Sequence, residues 1–171
     1  MGQKARTLVG ADVDHIITLL RKAYADEWLA MIQYETAAFQ AKGIMRTDVV
    51  RDLKENAMEE YDHAMKLGRR ICELGGTVPL TPEEMIKESN CAYIKPGESC
   101  LGRIIEQTII SERCTIGVYK QLLNEVQGKD EMTMKLIVTI LAEELEHEDE
   151  FQNFKEDMDS LLAKIRDCKE K

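Results

Sequence analysis

The sequence predicts an all-α fold: an antiparallel four-helix bundle made of two helical hairpins, joined by a long crossover that carries a short extra helix. Composition, periodicity and link length point to it. Of 171 residues only 10 are Gly and 3 Pro, aromatic residues are 5%, and the 32% charged residues are rich in Glu and Lys, which favour helices. Four long stretches repeat apolar residues at 3–4 spacing, the period of a helix with one buried face. Two links between them are short and one is long, which sets the topology.

The first helix is expected from about residue 12 to 41, with Ile16, Leu20, Ala23, Met31, Tyr34 and Ala38 on one stripe and Gly43 beyond it. The second runs from about 47 to 74 on Val50, Leu53, Ala57, Ala64, Leu67, Ile71 and Leu74; Gly75-Gly76 stops it and Pro79 follows. Roughly 24 residues, Gly75 to Glu98, then separate it from the third. Inside them "TPEEM" reads as a helix start: Thr81 as N-cap, Pro82 at the first position and Glu84 completing a capping box, for a short helix over about 81–89. The third helix spans about 99–126 on Leu101, Ile105, Thr108, Tyr119, Leu122 and Val126. A tight turn at Gly128-Lys129-Asp130 leads into the fourth, about 131–166, on Ile137, Leu141, Phe151, Phe154, Met158, Leu161 and Ile165. A chain of this length buries about 70% of its unfolded surface, and residues 1–171 are expected to form one domain.

A formal charge of −9 and a pI near 5.0 argue against DNA as a partner and for cations; Lys4 and Arg6 are too little for a nucleic-acid arm. No apolar run approaches the roughly 18 residues of a membrane span, and there is no signal-peptide pattern. The five cysteines (Cys72, Cys91, Cys100, Cys114 and Cys168) form no CxxC, which suggests a cytoplasmic chain with mostly reduced thiols.

Each apolar stripe is interrupted once by a carboxylate: Glu27, Glu60, Glu112 and Glu144. A buried, unpaired carboxylate costs several kcal/mol, so a group of four calls for positive charge among them. Two divalent ions carry the matching +4. His63 and His147 stand one turn after Glu60 and Glu144, on the same faces, and neutral imidazole adds a ligand without adding charge. Oxygen ligands with one nitrogen per metal suit iron or manganese. A Glu-x-x-His spacing alone arises easily in a Glu-rich chain; the placement of all six on core stripes makes it a site. Glu60 follows Glu27 by 33 residues and Glu144 follows Glu112 by 32, so each hairpin repeats one ligand pattern. Glu59, Glu143, Glu146 and Glu148 lie off the stripes and read as surface charges. Glu106 shares its stripe with Arg103 and Arg113, which makes Glu112 the better ligand. His15, three residues after Asp12, reads as an exposed or capping histidine. Cys114, two residues past Glu112, reads either as a small buried hydrophobe or as a thiol near the metal level. Tyr34 and Tyr119, two turns beyond ligand Glu residues, either hydrogen-bond ligands or pack in the core. Cys72 and Cys168 have no such context and are expected to be inert.

"ADEWLAMIQYETAA" (25–38), "EEYDHA" (59–64) and "EELEHE" (143–148) resemble the ligand helices of bacterioferritin, and the resemblance to the ferritin superfamily covers roughly residues 15–160. It implies that Glu27, Glu60, His63, Glu112, Glu144 and His147 are ferroxidase ligands for two irons per subunit, with Glu60 and Glu144 bridging. Haem-binding bacterioferritins place a Met where this chain has Tyr61, so haem is not expected. The larger 24-subunit cages use a terminal helix, whereas "KEDMDSLLAKIRDCKEK" simply continues the fourth helix. The smaller Dps cages carry a short helix between helices two and three, as this chain does. The combination resembles the Dps-like proteins called thioferritins, which implies a shell of twelve chains and a redox cysteine pair, Cys114 with Cys91, or with Cys100 as substitute.

The function these features imply is oxidation of Fe(II) by hydrogen peroxide or oxygen, with storage of the iron and protection from oxidative stress. The alternative is a rubrerythrin-like di-iron peroxidase without bulk storage, although no paired CxxC motifs supply its electron-carrying domain. A third reading is a metal-binding scaffold with no oxidation chemistry.

Overall fold

A computed structural model of the chain describes residues 3–10, 12–95 and 100–169. The order is α1 (Gln3–Thr7), α2 (Val13–Gln40), α3 (Arg46–Glu73), α4 (Pro82–Glu88), α5 (Leu101–Val126) and α6 (Glu131–Lys169). α2 packs against α3 and α5 against α6 as two hairpins; α2 also meets α5, and α3 meets α6. This is the ferritin-like bundle that the stripes and link lengths predict. No helix among the described residues is long and apolar enough to cross a membrane.

Local chemistry sets the ends. Asp12 accepts from the amides of Asp14 (3.1 Å) and His15 (3.3 Å), capping α2. Gly75 (φ 84°) and Gly128 (φ 71°) take the left-handed conformation that ends α3 and turns the chain between α5 and α6. Gly76 leaves no room for a side chain, because a Cβ there would lie 2.6 Å from Ile17. Thr81 accepts from the Glu84 amide (3.2 Å) as expected, but Glu84 reaches back to the amide of Leu80 (2.7 Å), one residue before the cap.

The structure adds α1, which the apolar periodicity does not announce: five residues are too few to show a period. Arg6 ties it down by donating to the Leu74 carbonyl (2.7 Å) and to Asp14 (2.9 Å). On α6 the deeply buried position is Ile140, while Leu141 is only partly covered. The expected start of the third helix at 99 lies outside the described residues.

The crossover is fastened along α2. Buried Asp26 accepts from the Asn90 amide (2.7 Å), the Asn90 side chain (2.6 Å) and the Cys91 amide (2.8 Å), and Gln33 accepts from the Ile94 amide (2.9 Å). Burial pushes Asp26 up to about 6 even though these donors oppose it. Farther along, Cys100 bridges to Lys42 beside the α2–α3 turn.

The apolar core is in two parts. One unites Ile16, Leu20, Leu67, Ile71, Tyr119, Leu122 and Ile137; the other unites Tyr34, Leu53, Ala57, Leu101, Ile105 and Phe151. The helical segments between them carry the interrupting Glu and His residues, so a polar layer crosses the middle of the bundle.

Candidate metal centre

Glu27 on α2, Glu60 and His63 on α3, Glu112 on α5, and Glu144 and His147 on α6 all lie in that layer, none more than 3% exposed. Helical spacing does the positioning: three or four residues separate each from the apolar neighbours that anchor its face. They form two overlapping groups, Glu27–Glu60–His63–Glu144 and Glu60–Glu112–Glu144–His147, in each of which one donor atom per residue lies within 4.8 Å of the others. Glu60 and Glu144 belong to both groups.

Both histidines turn Nδ1 inward. His63 Nδ1 stands 3.1 Å from Glu144, 3.2 Å from Glu60 and 3.4 Å from Glu27; His147 Nδ1 stands 3.5 Å from Glu60 and 4.0 Å from Glu144. Yet Glu27 Oε2, Glu112 Oε2, both Glu144 oxygens and His147 Nδ1 are buried without a hydrogen-bond partner among the described residues. Unsatisfied buried acceptors cost about 1–3 kcal/mol each, more when charged, and these five atoms belong to residues of the two groups, which are able to hold a metal ion. The electrostatics agree. Burial, then the charge of Glu60, pushes Glu27 up to about 8. Burial and Glu144 hold Glu112 well above the carboxylate range, and burial and Glu27 raise Glu144. Burial lowers both imidazoles, but surrounding carboxylates outweigh it: Glu144, Glu27 and Glu60 hold His63 far above its ordinary value, and Glu60 brings His147 to about 9.

The residues around the layer sort themselves differently from the sequence reading. The Tyr119 hydroxyl donates to Glu27 Oε1, whereas buried Tyr34 finds no hydrogen-bond partner among the described residues. Glu59 and Glu143, expected as surface charges, are not merely that: Glu143 pairs with His63 Nε2 at 2.7 Å and Glu59 with His147 Nε2 at 3.0 Å. Each sits one residue off the buried stripe, and a three-bond side chain is long enough to lean back over the neighbouring helix. The available signal was the doubled Glu-Glu-x-x-His. Glu148 pairs with Arg113 (2.7 Å), Glu146 is exposed, and exposed Glu106 faces Arg103. His15 is exposed, with its amide on Asp12.

Cys91 and Cys114 form a disulfide with Cα atoms 6.0 Å apart, linking the crossover to α5 one half-turn past Glu112; Cys72, Cys100 and Cys168 are free and exposed.

A family profile described as ferritin-like domain matches residues 17–161. The DNA protection during starvation protein of Pyrococcus furiosus is 34% identical over 145 residues, 84% of this chain and 78% of that protein. The bacterioferritin of Desulfovibrio desulfuricans is 30% identical over 156 residues, 88% of this chain and 82% of that protein. Among solved structures, the bacterioferritin-related protein of Bacteroides fragilis, described as a dodecameric thioferritin, superimposes with a TM-score of 0.94 at 33% identity, covering 95% of this chain and 98% of that one. Dps of Staphylococcus aureus shares the fold at a TM-score of 0.80 with 14% identity, over 85% of this chain and 97% of that one. With its family match over most of its length and a thioferritin as a near-complete structural counterpart, the chain belongs to the ferritin superfamily, among the Dps-like members of the thioferritin type.

Proposed function

We propose that the chain is the subunit of an iron-storing shell that oxidises Fe(II) at the six-residue layer and so protects against iron and peroxide together. The observation that carries this reading is the pair of overlapping four-donor groups, buried and unsatisfied, that share Glu60 and Glu144. Glu27 and His63 hold one substrate iron, Glu112 and His147 the other, and the shared carboxylates span both. Four carboxylates neutralise two Fe(II), and the short distance between the groups lets the pair give up two electrons together. Hydrogen peroxide takes two electrons and two protons to become two waters; oxygen is the alternative acceptor. Tyr119 steadies Glu27 from the apolar side.

Twelve chains in the shell is the reading supported by the dodecameric counterpart. A cytoplasmic place fits the Cys91–Cys114 disulfide only if that bond is redox-active, since disulfides that persist in reducing compartments are rare. The same disulfide favours a second reading, a di-iron peroxidase without bulk storage: two thiols closing to a disulfide release the two electrons that one peroxide consumes.

Ferrous loading separates the readings. A store takes up many irons per chain, while a peroxidase saturates at two. Under anaerobic mixing followed by peroxide, Glu60→Ala should oxidise Fe(II) far more slowly than wild type; an unchanged rate would remove the site assignment.

A further inference from the structure

The stretch from Glu88 to Ile94 lies along α2 and is fixed there at three heights. Arg21 donates to both Glu88 oxygens (2.5 and 3.0 Å), and Gln33 accepts from the Ile94 amide (2.9 Å). Between them Asp26 takes the residues around Cys91. Asp26 is 4% exposed, and both of its oxygens are used. Oδ1 accepts from the backbone amides of Asn90 (2.7 Å) and Cys91 (2.8 Å), and Oδ2 accepts from the Asn90 side chain (2.6 Å). The sulfur partner comes from a different helix: Cys114 stands on α5, its Cα 6.0 Å from that of Cys91. The ties that place Cys91 therefore belong to α2, and none of these three runs through the sulfur–sulfur bond.

We propose that Asp26 is a positioning residue for the thiol pair: by holding the Asn90 and Cys91 amides it keeps reduced Cys91 beside Cys114, so that the pair opens and closes as a redox couple. A carboxylate suits this task because it only accepts, and here one oxygen collects two consecutive N–H groups. It thus fixes the backbone of the cysteine itself. Without that hold, closing the bond must also order the crossover. The inference goes beyond the proposed ferrous chemistry; it concerns the thiols alone and is read without metal.

Exchange with glutathione shows the balance. One cysteine thiolate attacks glutathione disulfide and releases one glutathione; the other attacks the mixed disulfide, closes the Cys91–Cys114 bond and releases the second. Two electrons and two protons pass from the chain to the two glutathione thiols. Both cysteines are partly exposed, so a small thiol can reach them. The closing step is intramolecular, and its equilibrium measures how well the two thiols are held together, as an effective concentration.

Glutathione redox titration of the full chain tests this, with Cys72→Ser, Cys100→Ser and Cys168→Ser in the parent and the closed form counted by mass spectrometry after alkylation. The parent pair should show an effective concentration above the millimolar range of a short flexible tether, and should lose that excess in urea. Asp26→Ala should lower it by about tenfold at unchanged helicity, which raises the potential of the pair by about 30 mV. Asp26→Asn keeps an oxygen for the two amides and should stay within about threefold of the parent. Asn90→Pro removes two of the three donors from the crossover side and leaves the bundle untouched. Ser89, at φ −56° and ψ 145°, already has the extended backbone that a following proline requires. This variant should match Asp26→Ala, and it decides if Asp26→Ala does not fold. An effective concentration unchanged in Asp26→Ala and Asn90→Pro, Asp26→Asn as weak as Asp26→Ala, or a folded parent no better than the chain in urea overturns the positioning role.

Discussion

At the scale of single residues the layer is a set of charges waiting for a counter-charge. Protons are the competing counter-charge, because burial pushes Glu27 up to about 8, the Glu60 carboxylate brings His147 to about 9, and His63 and Glu112 are raised above their ordinary values. A divalent cation must displace them. Filling both sites with Co(II) at pH 7 should release at least two protons per chain, on the order of one per cation, readable with an indicator dye. The sign follows: apparent affinity falls about tenfold per pH unit as pH drops from 8 to 6, and levels off above the highest of these values. Tyr119 offers a second test. Tyr119→Phe removes the donor from a buried carboxylate oxygen, so Fe(II) oxidation should slow by about tenfold, while urea unfolding of the apo-protein shifts by about 1–2 kcal/mol. An oxidation rate equal to wild type would reduce Tyr119 to packing. At this scale the six inward residues were legible because a helix stripe states which side chains face the core. Glu59 and Glu143 were not, because a stripe locates Cβ atoms and says nothing about where a long side chain ends.

At the scale of elements, the links carry as much specificity as the helices. The α5–α6 turn is held by Asp130, which receives both Arg70 contacts (2.9 and 3.0 Å) and the Thr133 amide (3.0 Å), with Arg70 also donating to the Thr133 hydroxyl at 2.8 Å. Burial raises Asp130, but Thr133 and Arg70 outweigh it and hold it below the usual range. Stability from a lowered carboxylate is present above the unfolded value near 3.9 and is lost as pH falls through the folded value. Asp130→Asn leaves the Arg70 guanidinium with half-exposed Glu73 (3.1 Å) as its anionic partner and should cost about 2–3 kcal/mol at pH 7 by urea unfolding; the gap to wild type should begin to narrow only as pH falls below about 4. The disulfide tests the crossover. It closes a loop between residues 23 apart in sequence, so its reduction should lower stability by about 3 kcal/mol and leave helicity by circular dichroism unchanged. After peroxide treatment of reduced protein, peptide mapping should recover the link between Cys91 and Cys114, with Cys100 free. The long helices and the capped α4 could be read from period and cap residues alone. α1 could not, since its order comes from Arg6 reaching distant groups on α2 and at the end of α3, a tertiary effect with no local signature.

At the scale of the whole molecule, exposed apolar side chains are scattered over the described residues, and two groups of them line surface hollows. Leu161, Leu162 and Ile165 line the exposed run of α6 near Ile44 and the start of α5, and Ile32 on α2, Ile86 on α4 and Tyr93 in the crossover lie exposed around a second hollow. Such surface on a chain with a twelve-subunit counterpart is expected to be covered by other copies. If the proposed twelve-chain shell forms from chains of 19.5 kDa, light scattering should find a particle of about 234 kDa. Leu162→Asp with Ile165→Asp should give smaller particles with the helicity of wild type, whereas an unchanged particle would place the subunit contacts elsewhere. Shell size is the property least legible in a single chain, because it is decided by surfaces that have no partner within it.

The polar layer between the two apolar clusters has a consequence for how the molecule withstands heat. Each half of the bundle is held by close packing, whereas on the proposed function the waist between them is held by the cation it binds. A ligand that binds only the folded chain adds about 2.7 kcal/mol at a hundred times its dissociation constant, or about 5–10 °C in melting temperature for a chain of this size. Amide exchange along residues 56–63 and 140–147 should slow on loading for the same reason. On the proposed function, the melting point of the protein should track the ferrous ion around it, and without iron the bundle should soften first at its middle.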